Sequence, residues 1–383
     1  MQAPDSQAGL RLADQLIAAA KADGANFIDL GNLGLNAIPS SLLMLKDQLS
    51  GISFGSAYVD ANGVERSNSY KFGKNWISSF EMLSEFPLLN SLSLAEMEIS
   101  GVAQIGPLQN LKTLDLRGGG GISLDGLPLL GALTWLSLQD RSINSLNALY
   151  FLQSLRTINL KGTTGADLGI FTKAPFAHLT SLNLSNVPRT GADLHCLSGL
   201  TSLERLYLGS CGLKDIDGLA TLKNLKTLSL RYNKIGDLRS LTELTALEEL
   251  HLSGNRITTI SPIANLRQLT DLSLRRNQVS DISALAGCTR LEKLRLNQNQ
   301  IQDASPLSNI TTLKRLAIKQ NPLRSLSFLT KLKSLIYIGL SETGIEDLTP
   351  LAGLTHLRRL NISGNPVKDL TPSATGSGPT ATK

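Results

Sequence analysis

The sequence is short of the residues that build disulfide frameworks, metal sites and aromatic cores. Its three cysteines, Cys196, Cys211 and Cys288, are far apart and form no Cys-x-x-Cys arrangement. That spacing argues against a disulfide framework or a zinc site, and it favours buried, reduced thiols in a reducing compartment. Aromatic residues are only 4% of the 383 residues, so any core must consist of aliphatic side chains.

Long apolar runs and a strong charge bias are also missing. No apolar stretch approaches the ~18 residues that span a bilayer, and the first residues lack the basic start and apolar centre of a signal peptide. We therefore expect a soluble, cytoplasmic protein. The net charge of +6 and the pI of about 9.2 permit an acidic partner but are mild for a nucleic-acid binder.

Signals for catalysis are weak. The histidines His178, His195, His251 and His356 lie far apart in the sequence and imply no metal site. The glycine run Gly118–Gly121 lacks the lysine of a phosphate-binding loop, so it is better interpreted as a widened turn. We expect no cofactor, no metal and no enzymatic activity.

Leucine, by contrast, recurs with a fixed period. A leucine opens the string Leu-x-x-(Leu/Ile)-x-(Leu/Ile) thirteen times, and from Leu203 onward every interval is 22 residues. The opening leucines are Leu89, Leu111, Leu133, Leu155, Leu179, Leu203, Leu225, Leu247, Leu269, Leu291, Leu313, Leu335 and Leu357. A period of this size predicts an array of stacked units, which presents a surface rather than a catalytic pocket.

Within each copy, the positions have separate roles. Side chains alternate along a strand, so the fourth and sixth positions, such as Leu250 and Leu252, should point inward, and the third, fifth and seventh outward. The ninth position is asparagine in six copies, and an amide there can bond the backbone of adjacent coils as an internal ladder. These asparagines are Asn233, Asn255, Asn277, Asn299, Asn321 and Asn365. Met97, Gly119, Arg141 and Val187 occupy that position elsewhere, which predicts a less regular N-terminal half.

The ends of the array differ from its middle. Residues 5–22 have the pattern of an amphipathic helix, which we expect to cap the first coil within an N-terminal segment 1–26. The repeat domain should span 27–370, with irregular repeats or a hairpin insertion at 49–85 and regular repeats at 89–370. The small, polar residues 371–383 predict a disordered tail. Because no helical pattern follows Leu370, we expect a partner or a second copy of the chain to cover the last coil.

The copies Leu247–Leu266 (LEELHLSGNRITTISPIANL) and Leu335–Leu354 (LIYIGLSETGIEDLTPLAGL) resemble the leucine-rich repeat pattern. The 22-residue form is similar to that of internalins and of the leucine-rich regulatory subunit of protein phosphatase 1. The opening AAAKADGANFIDLGNLGLNAIPSSL is similar to the start of leucine-rich regions in bacterial Roco-type proteins. The resemblance implies a bacterial α/β solenoid, a leucine-rich repeat horseshoe with a long parallel concave sheet, short 3-10 or irregular convex segments and a helical cap.

The outward positions change in charge along the array. Positions three, five, seven and eight carry a net charge of −1 in the five copies from Leu89 to Leu179, and +6 in the six copies from Leu203 to Leu313. Arginine and tyrosine are enriched at binding hot spots, so the predicted partner-binding residues are Arg205, Tyr207, Arg231, Tyr232, His251, Arg275, Arg276, Lys293, Arg295, Arg315, Lys319 and Tyr337. Trp135, on the same side of an earlier copy, is a second predicted anchor.

These observations favour a non-catalytic protein–protein interaction module that binds an acidic or mixed-charge protein through the concave face. Reversing Arg275 and Arg295 to glutamate should weaken that binding at least about tenfold. Two alternatives stay open: a regulatory subunit or sensor region for a separately encoded phosphatase or GTPase, and an effector delivered to host cells without a cleavable signal. Nucleic acid is disfavoured because Glu249 and Asp271 interrupt the basic track.

Overall fold

Each copy of the repeat begins with a three-residue strand centred on its fourth position. The computed structural model describes residues 6–59, 64–106, 108–173, 176–188, 194–371 and 380–382. In the copy that starts at Leu247, the strand is Glu249–His251, and both Leu250 and Leu252 are fully buried. Glu249 and His251 lie on the other side of that strand, as the alternation of side chains requires. The predicted α/β solenoid with a long parallel sheet is confirmed.

The packing divides the chain into two compact units, residues 1–188 and 189–383. The sheet of the first unit is parallel, in the order β1-β2-β5-β6-β8-β10-β11. Its strands are β1 (Phe27–Asp29), β2 (Gly51–Ser53), β5 (Ser91–Ser93), β6 (Thr113–Asp115), β8 (Trp135–Ser137), β10 (Thr157–Asn159) and β11 (Ser181–Asn183). In the described part of this unit, two short pairs lie outside the sheet: antiparallel β3 (Ala57–Val59) with β4 (Glu65–Ser67), and parallel β7 (Gly121–Ile122) with β9 (Ser142–Ile143).

The sheet of the second unit is parallel and follows chain order. Its strands are β12 (Arg205–Tyr207), β13 (Thr227–Ser229), β14 (Glu249–His251), β15 (Asp271–Ser273), β16 (Lys293–Arg295), β17 (Arg315–Ala317), β18 (Tyr337–Gly339), β19 (Arg359–Asn361) and β20 (Thr380–Thr382). From β12 to β19 each residue pairs with the residue 22 positions later, for example Leu250 with Leu272. The leucine period therefore sets the register of the sheet directly.

Short 3-10 helices return the chain from the end of one strand to the start of the next. In the first unit they are Ser40–Leu45, Glu81–Glu85, Val102–Ile105, Leu127–Leu129 and Asn147–Phe151, with one helical turn α2 at Ile170–Lys173. In the second unit they are Leu194–Leu197, Asp217–Leu219, Arg239–Leu241, Ser261–Asn265, Ser283–Gly287, Ser305–Asn309, Ser327–Lys331 and Thr349–Leu351. Most of these tight segments place one or two aliphatic side chains in the core without a long helix.

The N-terminal helix α1 spans Ser6–Ala22 and packs on the first coil, as predicted. Its buried side is Ala13, Ile17 and Ala20, whereas Leu10, which the pattern places on that side, is 43% exposed. The reason is Gly9: a Cβ atom there would lie 1.7 Å from the carbonyl oxygen of Leu33. The helix thus approaches the coil through a glycine, which turns Leu10 toward solvent.

Residues 49–85 contain both of the alternatives that the sequence leaves open. Strand β2 is a normal repeat strand between β1 and β5, but Gly51 pairs with Ser91, an offset of 40 residues instead of 22. The extra chain includes the β3–β4 pair, in which Tyr58 lies opposite Arg66. The Asn62-Gly63 pair, a sequence typical of the turn of a hairpin, lies outside the described residues. The segment is therefore a repeat with a hairpin inserted after its strand.

The ninth-position asparagines bond the backbone of their own copy and of the copy before it. The amide of Asn277 donates to the carbonyl oxygens of Leu252 and Leu274 at 3.0 Å each, and its Oδ1 accepts from the N–H of Ile257 at 3.1 Å. Corresponding contacts are made by Asn233, Asn255, Asn299, Asn321 and Asn365. Each of these side chains bonds buried backbone groups at the turn, and its oxygen accepts from a backbone N–H of the copy before it.

Arg141 takes this position in the first unit, where the asparagine is absent. Its side chain is 1% exposed, and it donates to the carbonyl oxygens of Leu116 at 2.6 Å and Met97 at 2.9 Å. A Cβ atom on Gly119 would lie 2.5 Å from its Nη1 atom, so the glycine provides the space. Burial lowers the pKa of Arg141, while the charges of Glu98 and Asp115 act in the opposite direction. One long side chain thus bonds carbonyl groups in two preceding copies.

The C-terminal end differs from the sequence prediction. Within the segment expected to be disordered, Thr380–Thr382 forms β20, which pairs in parallel with β19 through Arg359 and Thr380. The edge of β19 is thus covered by the chain itself, where we expected a partner or a second copy. Residues 372–379 and 383 lie outside the described residues. The boundaries at 26 and 370 remain predictions, since the two compact units divide the chain elsewhere.

Candidate functional site

The predicted binding residues of the second unit all lie on one side of its sheet, at the third, fifth, seventh and eighth positions. We call this surface the basic face, and its cations are Arg205, Arg231, Arg275, Arg276, Lys293, Arg295, Arg315 and Lys319. Strand pairing aligns the third positions in one column and the fifth positions in another. Neighbouring side chains in a column are therefore about 4.8 Å apart at the backbone.

Some of these cations already have acidic or polar partners. Arg295 Nη1 is 2.6 Å from Asp271 Oδ1, and Lys293 Nζ is 3.8 Å from Asp271 Oδ2. Arg205 has a longer contact, 3.9 Å, with Glu204. Arg276 donates from Nε to the amide oxygen of Gln298 at 2.8 Å. These residues are partly committed to contacts within the unit.

Other cations of the basic face are not compensated. No carboxylate among the described residues lies within ion-pair distance of Arg231, Arg275, Arg315 or Lys319. Arg275 is half-buried, and its buried Nε atom has no acceptor among the described residues. Arg359 of β19 is exposed and likewise has no carboxylate partner among the described residues, and the sequence prediction, which ended its charge columns at the Leu313 copy, does not include it. Extending the third-position column by two copies would have found it.

A depression of about 210 Å³ lies on the basic face around β16, β17 and β18. It is lined by Lys293, Leu294, Arg295, Arg315, Ala317, Tyr337 and Arg359. The small fifth-position residues Ala317 and Gly339 leave this space, and a Cβ atom on Gly339 would lie 2.9 Å from the Tyr337 hydroxyl oxygen. Tyr337 thus folds over its own strand between Arg315 and Arg359, its partners on either side.

His251 is part of the basic face but does not add to its charge at neutral pH. Burial, helped by the charge of Arg231, lowers its pKa to about 4, although Asp271 acts in the opposite direction. Its side chain is 13% exposed, and its buried Nδ1 atom has no partner among the described residues. Burial likewise raises the pKa of Tyr207 above its ordinary value. Both residues are neutral groups between cations.

The eighth position of each copy has a left-handed backbone, which the sequence did not reveal. Among the described residues, ten that are not glycine have φ between 53° and 64°, including Tyr232 (56°) and Arg276 (54°). Glycine occurs at the same position of the next copy, Gly254, where a Cβ atom would lie 2.7 Å from the ring of Tyr232. The ring therefore rests over Gly254 and stays 58% exposed. Only the regular appearance of glycine at this position could have indicated the conformation.

The predicted anchor Trp135 belongs to the first unit. It is the first residue of β8, at the third position of its copy, and is partly exposed. It lines a pocket of about 520 Å³ together with residues of β1, β2, β3, β5 and β6. The inserted hairpin borders the same side of the sheet: Ser93 Oγ donates to the carbonyl oxygen of Ala57 at 2.6 Å. Arg117 is paired there with Asp115 at 2.6 Å and with Glu65 of β4. Arg117 is thus neutralised, unlike Arg231, Arg275, Arg315 and Lys319 of the basic face.

Among the described residues, no group of three or more His, Cys, Asp and Glu side chains is placed to hold a metal ion. Within the same part of the chain, no helix is long and apolar enough to cross a membrane. No disulfide joins the three cysteines, all of which lie in the described part of the chain: Cys211 and Cys288 are buried, and Cys196 is partly exposed. Burial raises the pKa of the Cys288 thiol to about 11, which suits a packed rather than a reactive thiol.

Comparison with known proteins identifies the family. A sequence profile of leucine-rich repeats (two copies) matches residues 201–243, 245–287 and 333–375. The structure of an internalin from Listeria monocytogenes, InlF, is 31% identical in sequence, with a TM-score of 0.71. The match covers 78% of this chain and 87% of that chain. The chain belongs to the leucine-rich repeat family.

Two further solved structures share the fold of this leucine-rich repeat protein. A leucine-rich repeat protein of Leptospira interrogans is 22% identical, covering 92% of this chain and 93% of that chain, with a TM-score of 0.70. The functional domain of InlJ from Listeria monocytogenes, which includes a cysteine ladder, is 19% identical, covering 94% and 75%, with a TM-score of 0.68. No curated protein sequence matches significantly.

Proposed function

We propose that this leucine-rich repeat protein is a non-catalytic binding module that holds an acidic protein partner against the basic face of its second unit. The observation that carries the proposal is the set of uncompensated cations. Arg231, Arg275, Arg315, Lys319 and Arg359 lie on one side of a rigid sheet without carboxylate partners among the described residues. Like charges held this close repel one another. Carboxylates from a partner would remove that repulsion, and the fixed backbone keeps the ordering cost of binding low.

The exposed side chains suggest where the centre of the interface lies. Arg231 and Tyr232 adjoin in one copy, and Tyr232 is held exposed over Gly254 in a conformation that is costly for a tyrosine. Arginine offers a large contact area and donors in a fixed geometry, and tyrosine offers a large contact area with few free torsions. These properties favour both residues as binding hot spots. Arg295 and His251, included in the sequence prediction, are better assigned to positioning, since one is paired with Asp271 and the other is neutral.

The depression at β17 and β18 supports an acidic side chain rather than an apolar one as the main contact. Arg315 and Arg359 pair in register on either side of Tyr337, and the described lining of the depression contains no carboxylate. Planar guanidinium groups bond carboxylates in a bidentate manner. Burying an apolar side chain there would instead remove water from several cations without replacing its hydrogen bonds, which is costly. A glutamate or aspartate of the partner would bond the guanidinium groups and would replace the hydrogen bonds of the water that it displaces.

The test is affinity capture from the lysate of the native cell with three forms of the protein. The first is wild type, and the second carries Arg315→Glu and Arg359→Glu. The third carries Arg267→Glu and Arg290→Glu, the same change in charge at two exposed arginines outside the strands. We avoid Arg295→Glu because it would place a second carboxylate beside Asp271 and confuse folding with binding.

We expect an acidic protein to be retained by the wild type and by the Arg267/Arg290 variant and to be lost from the Arg315/Arg359 variant. Elution by moderate salt should accompany this pattern, because partly exposed ion pairs are screened. A captured protein that the Arg315/Arg359 variant retains as well as wild type would contradict the proposal. If the captured partner is a phosphatase or a GTPase, the role of the module is regulatory. The same capture repeated with a host-cell lysate tests the effector role, which a host protein with the same pattern of retention would favour.

A further inference from the structure

A pocket on the first unit has a chemistry different from that of the basic face. We propose that it binds a neutral saccharide. Its floor is the column of third-position residues on β1, β2, β5, β6 and β8, which pair in register as Phe27, Gly51, Ser91, Thr113 and Trp135. Small residues thus lie between two aromatic side chains. The volume of about 520 Å³ falls in the range of ordinary ligand pockets.

Aromatic rings form the walls of this pocket. The ring of Phe27 lies over Gly51, where a Cβ atom would come within 2.7 Å of it. Tyr58 of the inserted hairpin packs on Phe27 with ring centroids 4.6 Å apart. Trp135 closes the opposite end, three strand spacings from Gly51, or about 14 Å at the backbone. The space between the walls therefore suits a ligand of one or two rings rather than an extended chain passing through.

The polar groups of the pocket are neutral and both donate and accept hydrogen bonds. Asn90, Ser91 and Thr113, which carry amide and hydroxyl groups, line it, and no hydrogen bond of their side chains to another described residue is seen. No charged residue is found among the described residues that line the pocket. A charged ligand would lose its hydration there without gaining an opposite charge. A purely apolar ligand would leave the amide and hydroxyl groups unpaired.

A saccharide meets both conditions. Each sugar hydroxyl donates and accepts one or more hydrogen bonds, which matches amide and hydroxyl side chains. The C–H face of a sugar ring can lie flat on an aromatic face, as Trp135 and Phe27 offer. The inserted hairpin supplies Tyr58, so the 40-residue offset between β2 and β5 acquires a role: it completes the wall of the pocket. This site lies within the first unit and is separate from the basic face.

Tryptophan fluorescence tests the proposal, because the chain has only two tryptophans and the other, Trp76, is 63% exposed outside the pocket. In a Trp76→Phe protein, emission reports on Trp135 alone. The probes are glucose, galactose, mannose, N-acetylglucosamine, maltose, cellobiose, lactose and chitobiose, with saturation-transfer NMR as a second readout. At least one probe should shift the emission saturably. Asn90→Ala should weaken its affinity about tenfold, the loss of roughly one well-made hydrogen bond.

The controls separate binding from folding and from the proposed function. Trp135→Ala should abolish the NMR signal, and Trp135→Phe should retain most of it because a flat aromatic face remains. The Arg315→Glu/Arg359→Glu protein should bind the sugar as wild type does. A failure of the saccharide proposal can therefore be told apart from a failure of the proposed binding of an acidic protein. Absence of saturable binding for every probe would overturn the saccharide assignment, as would binding that survives Trp135→Ala. Tighter binding of a neutral blocked Ser-Gly-Asn-Gly-Ser peptide would overturn it in favour of a peptide groove.

Discussion

Replacing Asn277 by alanine tests the internal ladder of the second unit. The amide nitrogen of Asn277 donates to Leu252 and Leu274, and its oxygen accepts from the N–H of Ile257. The two carbonyl groups also receive the amides of Asn255 and Asn299. Alanine therefore leaves each carbonyl with one remaining donor, but it leaves the N–H of Ile257 without any acceptor among the described residues.

The size of the effect follows from these contacts. A buried N–H without an acceptor costs about 1–3 kcal/mol, and each lost bond to a carbonyl that keeps another donor costs about 0.5–1 kcal/mol. The free energy of unfolding should therefore fall by roughly 3 kcal/mol. Asn224 provides the matched control in the same unit, because its exposed amide makes one bond, 2.8 Å long, to the carbonyl oxygen of Thr201. Asn224→Ala should cost less than about 1 kcal/mol.

Urea unfolding followed by far-ultraviolet circular dichroism measures both variants under the same conditions. The midpoint of Asn277→Ala should move well below that of Asn224→Ala, and the gap should correspond to about 2 kcal/mol or more. Equal losses for the two variants would refute the reasoning, because they would show that the shared carbonyl groups and the orphaned N–H carry no special cost.

Three other substitutions test separate parts of the molecule. As pH falls, the unfolded chain takes up the proton of His251 before the folded protein, whose His251 has a pKa of about 4 instead of 6.5. The free energy of unfolding should therefore drop by roughly 3 kcal/mol between about pH 6.5 and pH 4, and His251→Gln should remove that slope in urea titrations. Gly9→Ala should lower the melting temperature although alanine has the higher helix propensity, because the new Cβ atom would lie 1.7 Å from the carbonyl oxygen of Leu33. The control Gly131→Ala should leave the melting temperature unchanged, because its Cβ atom would meet nothing within 4 Å. Tyr232→Gly should raise the free energy of unfolding by about 1 kcal/mol, because glycine adopts the left-handed backbone of this position without strain. The same variant should weaken partner binding. A loss of stability would contradict the claim that the backbone of Tyr232 is strained.

The core and the register could be predicted from the sequence because both follow from one local period. Leu250 and Leu252 are buried because alternation along a strand allows no other arrangement once Glu249 and His251 face outward. The bonds of Asn277 could likewise be expected from an amide at the end of each strand. These features need only the residue and its position in the copy.

Features that depend on a neighbouring copy could not be predicted in this way. Arg141 is buried because Gly119, one repeat earlier, leaves space for its guanidinium group. Leu10 is exposed because Gly9 meets the backbone of Leu33. Each depends on the shape of a surface formed by a distant part of the chain, and the sequence period does not contain that shape.

The sign of the charges on the basic face could be predicted from the sequence. Which of these cations are free of ion pairs within the unit could not. The eight cations could be read from their positions, yet only the structure shows that Asp271 engages Arg295. Arg315 and Lys319, by contrast, have no carboxylate partner among the described residues. His251, which stays a predicted contact residue, has a side chain only 13% exposed and a pKa lowered to about 4 by burial, neither of which its place in the repeat indicated. Partner choice within a column depends on side-chain rotamers, which the repeat pattern does not specify.

The most direct test of the central claim is the dissociation constant of the captured acidic partner, measured by calorimetry for three forms of the protein. Arg315→Glu/Arg359→Glu should weaken binding at least about tenfold, which corresponds to about 1.4 kcal/mol. Arg267→Glu/Arg290→Glu, with the same change in net charge, should stay within about twofold of wild type at physiological salt, where distant charges are screened. An unchanged constant for the first variant, or equal losses for both, would contradict the claim that the uncompensated cations of the basic face bind the partner.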